Sequence, residues 1–162
     1  MSMREEAGMM QRADLHLVSG DETALISEIA ELDRRSVGAD AWSAETLAEE
    51  CGRDGGYVLA YTDENGALAG FAVFSSVLDE GCLNSIAVSE ACRRQGAGTK
   101  IIEKMTEILA RNGVKTVSLE VRESNTAAVT LYERCGFRRA GIRRGFYREP
   151  KENAIIYLKG LS

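Results

Sequence analysis

The chain has one histidine, His16, and four cysteines, Cys51, Cys82, Cys92 and Cys135, scattered with no Cys-x-x-Cys pair among them. A zinc site needs several such ligands at short spacing and a cysteine nucleophile needs an imidazole, so this scarcity argues against both chemistries. In a chain without export signals the thiols are expected to be free and buried rather than bridged. No stretch approaches the ~20 apolar residues that span a bilayer, and Met1 to Arg12 lacks the apolar run of a signal peptide. A soluble cytoplasmic protein is therefore expected, with no membrane partner. Residues 1–12 read as a loose extension and 13–162 as a single domain, because no internal repeat or long linker divides them. With 162 residues and 44% hydrophobic content, there is enough material for one packed core.

Charge is unevenly spread. Residues 1–92 hold 5 basic and 18 acidic side chains, whereas 93–162 hold 15 and 7. A basic half suits a cofactor with three phosphate groups and an acidic half suits a cationic substrate, since opposed potentials raise encounter rates; solvated faces carrying no message are the plain alternative. Arg138, Arg139, Arg143, Arg144 and Arg148 could touch nucleic acid, but overall acidity and the lack of interleaved aromatics argue against that partner.

Hydrophobic periodicity predicts the elements. Ala13 to Val18 reads as a strand, and Asp21 as the N-cap of a helix that carries Leu25, Ile29 and Leu32 on one face to about Arg35. Ser43 with Thr46 caps a second helix that ends near Cys51. Tyr57 to Thr62 and Ala67 to Val77 are strands joined through Glu64-Asn65-Gly66, a hairpin signal. A turn over Leu78 to Gly81 leads into a strand, Cys82 to Val88. A helix from Ala97 to Asn112 follows, with Ile101, Ile102, Met105, Ile108 and Leu109 on one face and Gly113 ending it. Lys115 to Val121 is a strand, Thr126 to Cys135 a helix stopped by Gly136, and Phe137 to Tyr147 and Ala154 to Leu158 are the last strands. This order describes one mixed α/β (α+β) domain.

Between the strand that ends at Val88 and the helix that starts at Ala97 lies Arg93-Arg94-Gln95-Gly96-Ala97-Gly98. Glycine spacing at a helix start removes Cβ atoms near the free amides of the first turn, and dipole and arginines add attraction for an anion such as a pyrophosphate. It is neither a Walker loop, which ends in Gly-Lys-Ser/Thr, nor a dinucleotide loop, which needs three spaced glycines and a later acid. Two further residues invite chemistry. Glu120 alternates away from Val117, Leu119 and Val121, so it is either solvated or aimed into a cleft. Tyr132 lies on an apolar helix face, where a phenol is ordinarily core with one hydrogen bond.

The loop resembles the acetyl-CoA motif of the GNAT family of N-acetyltransferases, Arg/Gln-x-x-Gly-x-Gly/Ala, matched by Arg93, Gly96 and Gly98. The segment from Leu119 to Phe137, with Leu-Glu-Val-Arg-Glu-Ser-Asn and Ala-Val-Thr-Leu-Tyr inside it, resembles the bacterial ribosomal-protein-alanine N-acetyltransferases, the RimI group. Ala41-Trp42-Ser43, Val77 to Glu80, Ile142 to Tyr147 and Asn153 to Tyr157 extend the likeness over nearly the whole chain. Ala41 stands where the group has proline and Phe146 where it has tyrosine, both where a peptide would enter.

The resemblance implies the GNAT fold, a central mixed and mostly antiparallel sheet of about seven strands flanked by about four helices. It implies acetyl-CoA as co-substrate, held by the amides of Arg94, Gln95, Gly96, Ala97, Gly98 and Thr99, by Arg93 and Asn125, and by the strand residues Ile86, Ala87 and Val88 at a β-bulge. It makes Glu120 the general base and Tyr132 the general acid, and it points to the N-terminal α-amine of an alanine-starting small-subunit ribosomal protein. About 14% of an α-amine is neutral at pH 7 against about 0.04% of a lysine, which favours an α-amine mildly. A small amine, an antibiotic or a protein lysine is the alternative acceptor, and a binding-only domain that senses CoA is a third reading.

Overall fold

The computed structural model describes residues 13–161, so the expected extension over residues 1–12 lies outside the described residues. Chain order is β1 (Asp14–Leu17), α1 (Thr23–Val37), a 3-10 turn (Gly38–Asp40), α2 (Ala44–Gly52), β2 (Gly56–Thr62), β3 (Leu68–Val77) and β4 (Glu80–Val88). A second 3-10 turn (Glu90–Cys92), α3 (Ala97–Arg111), β5 (Thr116–Arg122), α4 (Thr126–Arg134), β6 (Arg138–Arg148) and β7 (Lys151–Gly160) complete it. The seven strands form one sheet in the order β1-β2-β3-β4-β5-β7-β6. Every pairing is antiparallel except that of β4 with β5. Seven strands in a mixed, mostly antiparallel sheet with four α-helices is the architecture expected from the sequence.

Two cores, one on each face, follow from strand alternation. On one face Ile101, Ile102, Met105 and Leu109 of α3 pack with Leu59, Phe74, Leu119, Val121, Tyr132 and Phe137. On the other Ile26, Ile29 and Leu32 of α1 and Leu47 of α2 pack with Val58, Ala60, Phe71, Val73 and Ala87. Each large side chain buried this way contributes about 1.5–3 kcal/mol.

The boundaries correct three expectations. The α1 N-cap is Glu22 rather than Asp21, and it makes no side-chain cap bond. Its carboxylate turns back to accept from the Ser19 amide at 2.7 Å and to meet His16 Nε2 at 3.2 Å, so the strand-to-helix corner takes the group that would have capped. The turn before β4 is tighter than Leu78–Gly81, because β4 starts at Glu80 and Leu78 takes φ 55°. The cysteines are unbridged as expected but half-buried rather than buried. Ser43 caps α2 as expected, accepting from the Thr46 amide. No helix among the described residues is long and apolar enough to cross a membrane.

Candidate active site

The parallel seam is where the sheet opens. β4 and β5 pair only over Glu80 to Leu83 against Thr116 to Leu119. Just there the β3–β4 ladder shifts register, Val73 facing Ser85 and Phe74 facing Leu83, so Asn84 is bulged out. A bulge bends its strand. Beyond it Ser85 to Val88 and Glu120 to Arg122 diverge, leaving a cleft that starts between Leu83 and Leu119. Ile86, Ala87 and Val88 thus line one wall, and Glu120 is the first residue past the last pair on the other.

The loop after β4 stands at the open end of this cleft. Gly96 is the α3 N-cap in the left-handed region at φ 80°, and Arg94 precedes it at φ 64°, a conformation costing a non-glycine residue about 1–2 kcal/mol. The first intrahelical bond runs from Lys100 to Gly96, and the amides of Arg94, Gln95, Gly96, Ala97, Gly98 and Thr99 have no partner among the described residues. Six successive donors at the positive end of a 15-residue helix make an anion cradle. Nothing lies within 4 Å of where a Cβ on Gly96 would stand, so the approach is open. A Cβ on Gly98 would meet Leu131 of α4 at 2.9 Å, so glycine there lets the two helices touch. The Arg93 and Gln95 side chains point back to the loop, donating to the carbonyls of Val88 and Ala91, and steady it. Asn125 caps α4, its Oδ1 accepting from the Ala128 amide at 3.2 Å.

Glu120 and Tyr132 lie on opposite faces of the sheet, Tyr132 with Leu119 and Val121 and Glu120 alternating away from them. Tyr132 belongs to the α3/α4 core, 6% exposed, with its ring edge-on to Phe137 at 6.0 Å. Its hydroxyl has no hydrogen-bond partner among the described residues and keeps some contact with solvent. Burial, with Tyr147 and Cys135 nearby, pushes its pKa well above the ordinary tyrosine value. Glu120 is half-buried on the α1/α2 face, where Arg143 of β6 donates to its Oε1 at 2.5 Å.

Several residues escape a reading by spacing alone. Tyr147 is half-buried, and its pKa is raised by burial and then by Glu120, against the pull of Arg122. Arg122 pins the β6–β7 hairpin beside the cleft: it donates to the Pro150 and Glu149 carbonyls at 2.9 and 3.1 Å and to Glu152 at 3.3 Å, and it lies over the Tyr147 ring at 4.1 Å. Asp33 of α1 is fully buried and accepts from the Trp42 amide at 2.8 Å and from Ser85 Oγ at 3.0 Å. It ties the loop before α2 to the cleft wall. Burial raises its pKa, opposed in part by those two bonds. Long-range pairing alone brings these groups together; Arg122, in the Leu-Glu-Val-Arg stretch, and Tyr147, in the Ile142 to Tyr147 segment, carry a sequence signal, and Asp33 carries none.

Comparison with known proteins bears on the family and the fold. The model of the acetyltransferase (GNAT) family matches residues 24–137. The chain is 38% identical over 144 residues, 88% of its length and 95% of the relative's, to the [ribosomal protein bS18]-alanine N-acetyltransferase of Escherichia coli strain K12. The crystal structure of the ribosomal-protein-S18-alanine N-acetyltransferase from Escherichia coli superposes with a TM-score of 0.79 at 34% identity, covering 93% of this chain and 94% of that one. The NatC complex bound to Gag peptide and CoA shares the fold with a TM-score of 0.81 at 18% identity, covering 93% and 99%.

Proposed function

The chain belongs to the acetyltransferase (GNAT) family, whose members draw on acetyl-CoA, and from that premise we propose that it acetylates the N-terminal α-amine of ribosomal protein bS18 or a similar alanine-starting ribosomal protein. The observation that carries the reading is the parting of β4 from β5 directly before Glu120, with six unpartnered amides at the mouth of the gap.

Those amides, Arg94 to Thr99, bind the pyrophosphate, and the positive end of α3 adds to their pull. The unpaired edge of Ile86, Ala87 and Val88 offers peptide groups to the pantetheine arm, and the cap residue Asn125 stands at the start of α4 as a further contact. Acetyl-CoA supplies a thioester carbonyl that a neutral amine attacks directly. Glu120 takes the proton that turns the ammonium into the free amine on the α1/α2 face and sheds it to solvent, the new C–N bond forms as the C–S bond breaks, and Tyr132 protonates the departing thiolate from the α3/α4 face, regaining its proton through solvent as the acylated nitrogen loses its second one. Burial favours the protonated form of the Tyr132 phenol, the form that a general acid requires. Direct transfer of this kind calls for the base and the acid to act from the two sides of the thioester, and the opposite sheet faces of Glu120 and Tyr132 support that division.

Incubating the purified protein with labelled acetyl-CoA, an alanine-starting bS18 peptide, lysine peptides and a panel of small amines, with mass spectrometry to locate the label, tests the acceptor. The label is expected on the α-amine. Acetylation confined to lysine side chains or to small amines would overturn the assignment.

A further inference from the structure

Two arginines share the sheet face that carries the proposed base. Glu120 pairs with Ile156 and Ile156 with Gly141, while Arg122 pairs with Ala154 and Ala154 with Arg143. Residues directly opposite in a ladder project from the same side, as do residues two apart, so all three charges converge there. They are held very differently. Arg122 is 23% exposed in its side chain, and its donors are committed to the β6–β7 hairpin. Arg143 is 53% exposed, its hydrogen bond among the described residues goes to Glu120 alone, and it rests on the Phe146 ring at 4.7 Å. The carboxylate therefore takes its cation from an exposed side chain on an edge strand.

Building on the role of Glu120 as base, we infer that Arg143 is a specificity residue that holds the place of the acceptor's ammonium, leaving Glu120 when a cationic amine arrives and returning when acetylation has removed the charge. A guanidinium keeps its proton at any working pH, so Arg143 can occupy the base without being consumed by it. An α-amine is mostly ammonium at pH 7 and meets the carboxylate with equal charge. It then yields one proton to Glu120, takes the acetyl group from the thioester as its second proton leaves to solvent, and becomes a neutral amide. Once Glu120 has lost that proton to solvent, the amide has nothing to hold against Arg143. The exchange selects acceptors with a charged amino end and clears the product.

The test uses Arg143→Gln and Arg143→Ala, with Arg143→Lys as the variant that keeps the cation. Calorimetry on the enzyme with CoA bound, titrated with an alanine-starting hexapeptide, should show about two- to fivefold tighter binding to the two uncharged variants, the factor that removing a half-exposed ion pair allows. Peptide KM should fall by the same factor, inhibition by the N-acetylated peptide should strengthen, the KM for acetyl-CoA should hold, and Arg143→Lys should stay near the parent. Weaker or unchanged peptide binding to Arg143→Gln and Arg143→Ala overturns the inference. In a Glu120→Gln background the Arg143 effect on binding should vanish. Full turnover by Glu120→Gln would sink the base assignment alone, because the calorimetric comparison still decides whether Arg143 and the amine compete.

Discussion

At the scale of single residues, burial decides how the two proposed catalytic groups behave. The fold favours the neutral Tyr132 phenol, so its contribution to stability is complete below the unfolded tyrosine value near 10 and is lost only as pH rises through the higher folded one. Turnover should therefore climb as the acceptor loses its proton near pH 7.8 and show no fall from this residue up to pH 10. A pH profile of kcat/KM reads that directly, and a decline below pH 10 that Tyr132→Phe removes would contradict it. Tyr132→Phe and Glu120→Gln should each lower kcat by about 10²–10⁴-fold while CoA still binds. The phenylalanine variant should melt near the parent, because the lost hydroxyl has no partner among the described residues.

Asp33 gives the same sign with a different outcome. Its raised pKa means that its contribution is complete below the unfolded aspartate value near 3.9 and declines as pH rises through the folded one. Asp33→Asn can keep both bonds, accepting from Trp42 and donating to Ser85, so at pH 7 denaturant melts should find it at least as stable as the parent. Asp33→Ala should lose about 1–3 kcal/mol, because the Trp42 amide is left without its acceptor. Glu120 and Tyr132 were legible as candidates because alternation and helical spacing place them. Asp33 and Arg143 were not, since the partners that give them meaning lie 52 and 23 residues away.

Among elements, the junction of α3 with α4 separates two uses of glycine that look alike in sequence. Gly96 needs its left-handed backbone and has open space around it, whereas Gly98 is pressed against Leu131. Gly96→Ala should weaken CoA binding by distorting the cradle, at a strain of about 1–2 kcal/mol. Gly98→Ala should leave CoA binding near the parent's and change stability by no more than about 1 kcal/mol, because the atoms it meets belong to the flexible end of Leu131 and alanine favours the helix. Thermal melts alongside CoA titrations separate the two, and equal losses in both assays for both variants would refute the division. Helices with a clear apolar stripe, α3 above all, were readable to within a residue or two. The α1 cap was not, because Glu22 is recruited by Ser19 and His16 in three dimensions.

Across the whole molecule, the charge imbalance falls on opposite faces. Residues 23–52, spanning α1 and α2, carry 7 acidic and 2 basic side chains, while residues 93–111, the cradle and α3, carry 5 basic and 2 acidic. Acceptor and cofactor approach from these two sides in the proposed reaction. Raising salt from about 0.1 M to 1 M shortens the screening length from about 10 Å to 3 Å, so KM for a basic peptide should rise several-fold while kcat changes little. Steady-state kinetics across that range provides the check, and a KM indifferent to salt would detach the charge from function. Fold class was readable at this scale from element order, whereas the opening of the sheet came only through the family resemblance, which put the bulge at Ile86 to Val88: Asn84 carries no turn signal, and its bulge exists only through pairing with β3.

That opening also has a mechanical meaning. A four-strand wing and a three-strand wing pair through only four residue pairs of the sheet among the described residues, so the seam at which the sheet can hinge lies at the proposed reaction centre. Heat should loosen this hinge first, and backbone amides of Ser85 to Val88 should exchange with deuterium sooner than those of β3. A ligand that bridges both wings acts as a splint: at a hundred times its Kd, CoA should add about 2.7 kcal/mol to the resistance to unfolding.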